Sequence, residues 1–378
     1  MQAALWEKLP SFAEIGAKHL DAAPAPGNVS LCRAIYDAVD PCPVQATVES
    51  TRDADSDIWF EDGNVAILAG STAFRVHKGQ LSRHSDIFDG LFRIPQASAS
   101  DIESSLGFVD SMEGCPLVTV SDTAFDFKHL LHALYDSAEY LNPMVAIPFY
   151  VLAALARMAH KYQVDWLLAE VTRRLKTAFS DQFTMWPGDL STSCVSVQDN
   201  DAVEAFNLFR RIDRVDMLPA AFYACCQMDL SELVHGVIHV TGAVVEKLDI
   251  DDLERCLRAR REMKESHVKL ALTLFRDPLS PTCPTENRCG DVCGDCHSCD
   301  MEEYYFVADA NILGPHFSEY IESYMEDDPA FCDGCAQMLK DRDLAARLSA
   351  WRSLPGYAGV SVQGWGSAQA KTVNADGL

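Results

Sequence analysis

The 378-residue chain has no stretch of about 18 consecutive apolar residues, so no membrane-spanning helix is expected from it. Its first residues, MQAALWEKLPSFAEIGAKHLD, carry no positive leader followed by an apolar run, so a secretory signal is not expected either. Positive charge is scarce: 31 Lys and Arg stand against 56 Asp and Glu, a formal net charge of −25. A surface that negative repels nucleic-acid phosphates and anionic lipid at long range. Binding DNA or RNA would require a local basic patch. Two candidates exist, Arg157, Lys161, Arg173, Arg174, Lys176 and Arg255, Arg258, Arg260, Arg261, Lys264, both interleaved with Leu and Val in helical spacing. The solvated face of an amphipathic helix is the simpler reading of each. The chain also lacks a Gly-rich phosphate loop, a nucleophile elbow, a dinucleotide fingerprint, calcium-loop spacing, internal repeats and low-complexity blocks.

Apolar residues make up 48% of the chain, enough to bury a sizeable core in two or three domains. There are 14 cysteines. Without a secretory signal they imply a reducing, intracellular compartment, cytoplasmic or nuclear. Clustered cysteines there are metal ligands rather than disulfides.

Residues 1–54 are rich in Pro, Ala, Ser and Asp and are expected to be weakly ordered. The first compact signal is DIWFEDGNVAILAGSTAFRVHKG. Turn residues at Glu61–Asn64 and Gly70–Thr72 separate three expected strands, near 57–60, 64–69 and 73–77. Two short helices follow, the first around Leu81 and the second carrying Ile87, Phe88, Leu91 and Phe92. After a polar loop at 93–116 comes a strand at 117–120. A helix capped by Ser121 or Asp122 then shows Phe127, Leu130, Leu131 and Leu134 on one face. Two more helices carry Leu152, Leu155, Ala156, Ala159 and Val164, Leu167, Leu168, Val171, Leu175. The remainder reads as helical at 201–211, 217–228, 231–247, 250–275 and 335–352, with a segment rich in Pro, Gly, Cys and acid at 277–334.

The block SDIWFEDGNVAILAGSTAFRVHKGQLSRHSDIFDGLF resembles the BTB/POZ domain, and is similar to the fungal group of BTB-domain proteins. The residues that carry the likeness are Asp57, Ile58, Phe60, Phe74, Val76, His77, Lys78, Leu81, Ser85, Phe88, Leu91 and Phe92. LVTVSDTAFDFKHLLHALYD and LAALARMAHKYQVDWLLAEVTRRL extend it to about residue 180, and MLPAAFYACCQ, LERCLRARREM and WRSLPGYAGV resemble the C-terminal half of the same group. The resemblance implies an α+β domain at 55–180: a small sheet flanked by helices, with Phe74, Phe88, Leu91 and Phe92 in its core. His77 is then a structural histidine fixed by backbone hydrogen bonds at the entry to a helical pair. A helical region at 181–276, a Cys-rich segment with a C-terminal helix at 277–360 and a flexible tail at 361–378 complete the expected organisation. In function the resemblance implies association with protein partners, commonly as a two-fold homodimer. Some members recruit a cullin-type ubiquitin ligase through a hydrophobic-x-Glu motif. Here Asp101-Ile102-Glu103 and Ser111-Met112-Glu113 lack the leading apolar residue. A substrate adaptor for such a ligase and a transcriptional regulator stand as alternatives to a non-enzymatic adaptor.

The segment CPTENRCGDVCGDCHSCD holds Cys283, Cys289, Cys293, Cys296, His297 and Cys299, and FCDGCA adds Cys332 and Cys335. Two Cys-x-x-Cys turns can bring four thiolates to one tetrahedral zinc ion. By spacing the pairs are Cys293/Cys296 and Cys332/Cys335. The fungal relatives instead imply Cys283 and Cys289 with Cys332/Cys335. Both pairings stay open, and eight potential ligands also permit two ions. The alternatives are free thiols or redox-sensitive thiols, although acidic surroundings do not favour reactive thiolates. His235 and His239, four apart on the expected 231–247 helix, would share a face but lack an accompanying carboxylate motif. Cys225 and Cys226 fit core packing. The acidic groups Asp249/Asp251/Asp252 and Glu326/Asp327/Asp328 fit a helix start and a solvated loop. No nucleophile, acid and base can be joined by spacing into a catalytic set, so an enzyme is not expected.

Overall fold

A computed structural model of the chain describes residues 53–93, 111–183, 192, 194–242, 245–274, 279–284, 288–291, 311–314, 316–323, 325 and 331–366. The fold is mixed α and β. Its organising strand is β2 (Val65–Ala69), five apolar residues all buried. A strand without polar alternation has to be covered on both faces. β2 pairs antiparallel with β3 (Thr72–Val76), Ile67 opposite Phe74, and parallel with β5 (Cys115–Val120), Ile67 opposite Val118. β1 (Asp53–Trp59) lies parallel to β3, and β4 (Ser111–Met112) closes the other edge, giving the order β1-β3-β2-β5-β4. The tight β2–β3 connection needs a left-handed residue, and Gly70 supplies it at φ 58°. β1 starts earlier than the apolar pattern indicates. Its polar first half carries no alternation, and Asp55 Oδ1 accepts from the amides of Asp57 and Ile58 at the irregular point of the ladder.

Two short helices, α1 (Lys78–His84) and α2 (Asp86–Arg93), follow β3. Ser85 joins them. Its hydroxyl donates to the Tyr162 carbonyl at 2.6 Å and accepts from the Phe88 amide at 3.1 Å, capping α2. After β5 come α3 (Ala124–Tyr135), α4 (Ser137–Tyr140), α5 (Phe149–Lys161) and α6 (Asp165–Ala178). The cap of α3 is Thr123, which accepts from the Asp126 amide at 3.0 Å, rather than Ser121 or Asp122. Asp122 instead binds the Lys161 ammonium at 2.7 Å and the Tyr162 hydroxyl at 2.5 Å. Between α4 and α5 runs β6 (Ile147–Pro148), which pairs with β7 (Val195–Ser196).

The later helices are α7 (Asp201–Arg211), α8 (Leu218–Gln227), α9 (Leu230–His235), α10 (Ile250–Leu274), α11 (His316–Ser323) and α12 (Asp333–Ala358). One expected helix is cut short after its first turns. At 231–247 the chain turns out of α9 at Gly236, φ 88°, into a two-stranded hairpin of β8 (Val237–Ile238) and β9 (Val245–Glu246). A Cβ on Gly236 would sit 2.7 Å from the Glu246 carbonyl, so any other residue clashes with the hairpin.

One continuous cluster of buried side chains runs from Ile58 through Phe74, Phe88, Phe127, Leu152, Phe206 and Phe222 to Trp351 and Ala358. The sheet and the helices beyond residue 180 therefore share a core. α5 is its axis, buried at nine positions from Phe149 to Ala159. A second, smaller cluster gathers Ala271, Leu274, Phe317, Ile321, Phe331 and Leu339 around Cys289 and Cys335. α12 belongs to both, through Leu339 at one end and Trp351 and Leu354 at the other. Residues 361–366, expected to fray, continue the packing: Trp365 stacks on Trp351 at 4.7 Å and donates to its carbonyl at 2.8 Å. The weakly ordered N-terminus and the tail expected from the sequence fall, as residues 1–52 and 367–378, outside the described residues.

Candidate metal centre

Four cysteines meet at the small second cluster. The Sγ atoms of Cys283, Cys289, Cys332 and Cys335 all lie within 4.8 Å of one another. Local structure delivers them in two pairs. Cys332 is the N-cap of α12 and Cys335 lies in its first turn. The two intervening residues are what a helix start requires to bring both sulfurs to one side. Cys283 closes a turn, its amide donating to the Ser280 carbonyl at 2.9 Å, and Cys289 lies in the helical turn at 288–291. The sequence spacing of this second pair matches no turn signature, and only the fold brings it to the first.

The arrangement fits a tetrahedral ion. Four thiolates about 2.3 Å from a zinc ion stand about 3.8 Å apart along each edge. Cys332 and Cys283 are 3.7 Å apart, sulfur to sulfur. Two main-chain amides already point at the sulfurs: Cys332 N–H donates to Cys289 Sγ at 3.3 Å, and Ser280 N–H donates to Cys335 Sγ at 3.2 Å. Such bonds favour the charged thiolate, as does the positive end of α12. Burial pushes the Cys335 thiol up to about 12, against the Ser280 bond, and the neighbouring thiols of Cys283 and Cys332 push the same way. Four thiolates packed this closely would repel one another unless a cation neutralised them. The set has the right atoms, spacing and outer hydrogen bonds for a metal ion, and four protein ligands leave no open coordination position for catalysis.

No family model matches the chain, and no curated protein matches it either. The site therefore has to be read from its own geometry. Of the two pairings left open by the sequence, the structure brings together Cys283 and Cys289 with Cys332 and Cys335. Cys293, Cys296, His297 and Cys299 lie outside the described residues, as do Asp101-Ile102-Glu103 and Glu326/Asp327/Asp328.

The residues singled out around Lys78 are tied to neighbouring strands and helices. His77 is held by its backbone, as expected, and by side chains as well: its carbonyl accepts from the Gln80 and Leu81 amides at 3.1 and 3.3 Å, its amide donates to the Tyr135 hydroxyl at 3.0 Å, its Nδ1 lies 3.1 Å from the same oxygen, and its Nε2 lies 3.1 Å from Asp62. The Lys78 amide donates to Asn64 Oδ1 at 2.8 Å, and its ammonium sits over the Phe92 ring. Asp57 is exposed and takes the Lys128 ammonium at 2.6 Å. Phe74, Leu81 and Phe88 are fully buried, with Phe88 stacked 4.3 Å from Tyr162. Leu91 and Phe92, expected at the centre, are half-buried at its margin, because α2 meets the core along one side.

The histidine pair is a correction. His235 ends α9, its Nδ1 2.9 Å from the Ser231 carbonyl, whereas His239 sits in the hairpin turn, so they share no helix face. The basic candidates are largely neutralised. Arg157 pairs with Asp126 and Glu204, Lys161 with Asp122, Arg173 and Arg174 with Glu170, and Lys176 with Asp181 and Asp216. In the second run Arg255 pairs with Asp252, Arg258 with Glu254 and Arg261 with Glu265, while Arg260 donates to the Met228 carbonyl. Asp252 lies in the first turn of α10, as expected of a helix-start acid, but its side chain is only 3% exposed and also binds Arg210. Cys225 and Cys226 are buried as core residues. Cys226 Sγ lies 3.4 Å from Cys256 Sγ, a neighbour that no local spacing announces.

Proposed function

We propose that the chain is a non-enzymatic protein-association module of the BTB/POZ type, self-associating as a two-fold dimer. In this reading the helical half is stapled by one structural zinc ion on Cys283, Cys289, Cys332 and Cys335. Its support on the association side is the placement of the residues behind the resemblance. Phe74, Leu81 and Phe88 are buried where β3 hands over to the α1–α2 pair, and β5 returns parallel to β2 on its other side. His77 and Lys78, the residues of that stretch best suited to chemistry, are engaged with Tyr135, Asp62 and Asn64. On the metal side the support is the four-sulfur group and its two amide donors. The zinc ion closes a loop-rich segment whose own apolar cluster is small, which is a structural role.

Light scattering of the full chain at high micromolar concentration tests the association. A mass twice 41.7 kDa is expected, and a mass equal to one chain overturns the reading.

A further inference from the structure

The four sulfurs of the candidate metal centre are not equivalent. Cys289 and Cys335 are buried, whereas Cys283 and Cys332 are half-buried. Pro281, Thr282 and Pro284, around Cys283, are exposed, and so are Asp333 and Gly334, beside Cys332. One edge of the group therefore reaches water. The opposite edge belongs to the small apolar cluster, of which Cys289 and Cys335 are buried members.

Hydrogen bonding and backbone follow the same division. Each buried sulfur accepts a main-chain amide, Cys289 from Cys332 at 3.3 Å and Cys335 from Ser280 at 3.2 Å. Such a bond lowers the basicity of a thiolate, and its nucleophilicity falls with it. Cys289 sits in the helical turn at 288–291 and Cys335 inside the first turn of α12. Cys332, by contrast, is the N-cap, with extended backbone at φ −75° and ψ 154°, and Cys283 closes a turn on the Ser280 carbonyl. These two are also neighbours, 3.7 Å apart sulfur to sulfur. An S–S bond of about 2.05 Å needs a closure of less than about 2 Å between a turn and a helix start.

Oxidation of cysteine needs a thiolate and access to it. Ligation supplies the first, because a metal ion takes its cysteines deprotonated, whatever acids surround them. Access selects among the four sulfurs. Cys283 and Cys332 alone in the group combine access, an adaptable backbone and a sulfur neighbour that is accessible too.

We propose that the Cys283–Cys332 edge is an oxidation site, where hydrogen peroxide joins the two sulfurs in a disulfide and the metal ion is released. The inference rests on the zinc reading of the four-sulfur group. One thiolate attacks a peroxide oxygen: the S–O bond forms, the O–O bond breaks, and hydroxide leaves and takes up a proton. The other thiolate attacks the resulting sulfenic sulfur: the S–S bond forms, the S–O bond breaks, and a second hydroxide leaves and takes up a proton. The two sulfurs lose two electrons in all, and the peroxide is reduced to two waters. With two of its four ligands gone the ion dissociates, and Cys289 and Cys335 remain as thiols. Peroxide is thereby read out as a loosening of the small cluster around α11 and the start of α12.

The test uses the full chain purified without chelator. Its zinc content is measured first, and the protein is then titrated with hydrogen peroxide while zinc release is followed with a chromogenic chelator. Alkylation of the remaining thiols and peptide mapping locate the disulfide. Trypsin cuts after Arg288, between Cys283 and Cys289, and cleavage before Asp333 separates Cys332 from Cys335. About one zinc is expected to leave for each disulfide formed. At half release, thiol loss at Cys283 and Cys332 is expected to exceed that at Cys289 and Cys335 by about tenfold. A dithiol reductant with added zinc is expected to restore both the thiols and the metal content. Absence of zinc from the untreated chain would sink the metal reading, and this inference with it. Zinc present at the start overturns the oxidation site alone, and leaves the metal reading standing, in three cases: a disulfide at any other pair, equal thiol loss at all four cysteines, or zinc retained after Cys283 and Cys332 are joined.

Discussion

His77 and His129 show how two histidines in one small domain are put to opposite uses. His77 joins the end of β3 to Tyr135 and Asp62 across long sequence distances, a half-buried tether. His129, on the same helix as Tyr135, is tucked against the Phe125 ring at 4.4 Å and hydrogen-bonded to the Tyr140 hydroxyl. Burial, with His132 adding, holds His129 down to about 4, against an ordinary value of 6.5. Between those values the unfolded chain binds a proton at this position that the folded chain does not. Its contribution to stability is therefore fully present above 6.5 and is lost as pH falls towards about 4. His129→Gln keeps a polar partner for Tyr140 but does not titrate. The drop in urea midpoint from about pH 7 to about pH 5 is expected to be smaller in H129Q than in the native protein. Equal drops in the two would show that some other group carries the dependence.

At the scale of elements, three helices are pinned by one guanidinium. Arg157 of α5 reaches Asp126 of α3 at 2.8 Å and Glu204 of α7, and all three side chains are nearly buried. Removing the cation leaves two carboxylates facing each other out of water, a far larger loss than breaking a surface pair. Arg157→Ala and Arg157→Met are both expected to cost about 3–5 kcal/mol in denaturant unfolding, the similar figures showing that charge rather than volume matters. Adding Asp126→Asn and Glu204→Gln to R157M should recover a good part of it. A loss below about 1 kcal/mol in R157A would mean that the network is as weak as an exposed one. This junction is also where the sequence becomes silent. Helices α3, α5, α6, α7, α8 and α10 are legible because their apolar residues recur every three or four positions. The hairpin after α9 is not, because Val234, Val237, Ile238 and Val245 also fit a helical stripe, and only the close approach at Gly236 decides against it. Likewise, Cys332 and Cys335 announce themselves by spacing, since a helix start brings them together. Cys289 pairs with Cys332 only after the chain has folded, as do Asp126, Arg157 and Glu204, and no local rule reaches across such separations.

Among the described residues the large apolar cluster and the small one around the four sulfurs are bridged by α10 and α12, and their inequality sets what removal of the proposed metal would do. The large cluster contains the sheet, α1–α3, α5–α8 and the C-terminal half of α12, and its interior is dense with Phe, Leu and Ala. It has no need of an ion. The small cluster has nine buried residues, two of them cysteines of the four-sulfur group. With so little apolar area, the proposed zinc ion would supply most of its stability, since metal binding in small structural sites is worth on the order of 10 kcal/mol. Chelation of the full chain is therefore expected to release about one zinc per chain and to raise hydrogen exchange in α11 and the first turns of α12. Protection in β2, β5 and α5 should persist. The boundary should fall within α12, between Leu339, which belongs to the small cluster, and Trp351, which the large one holds with Trp365. Cys332→Ser combined with Cys335→Ser should reproduce the same exchange pattern without chelator. If the sheet lost protection together with α11, the two clusters would be one cooperative unit. If α11 and α12 were unchanged while no zinc was released, the four sulfurs would be ordinary thiols of a core that holds itself.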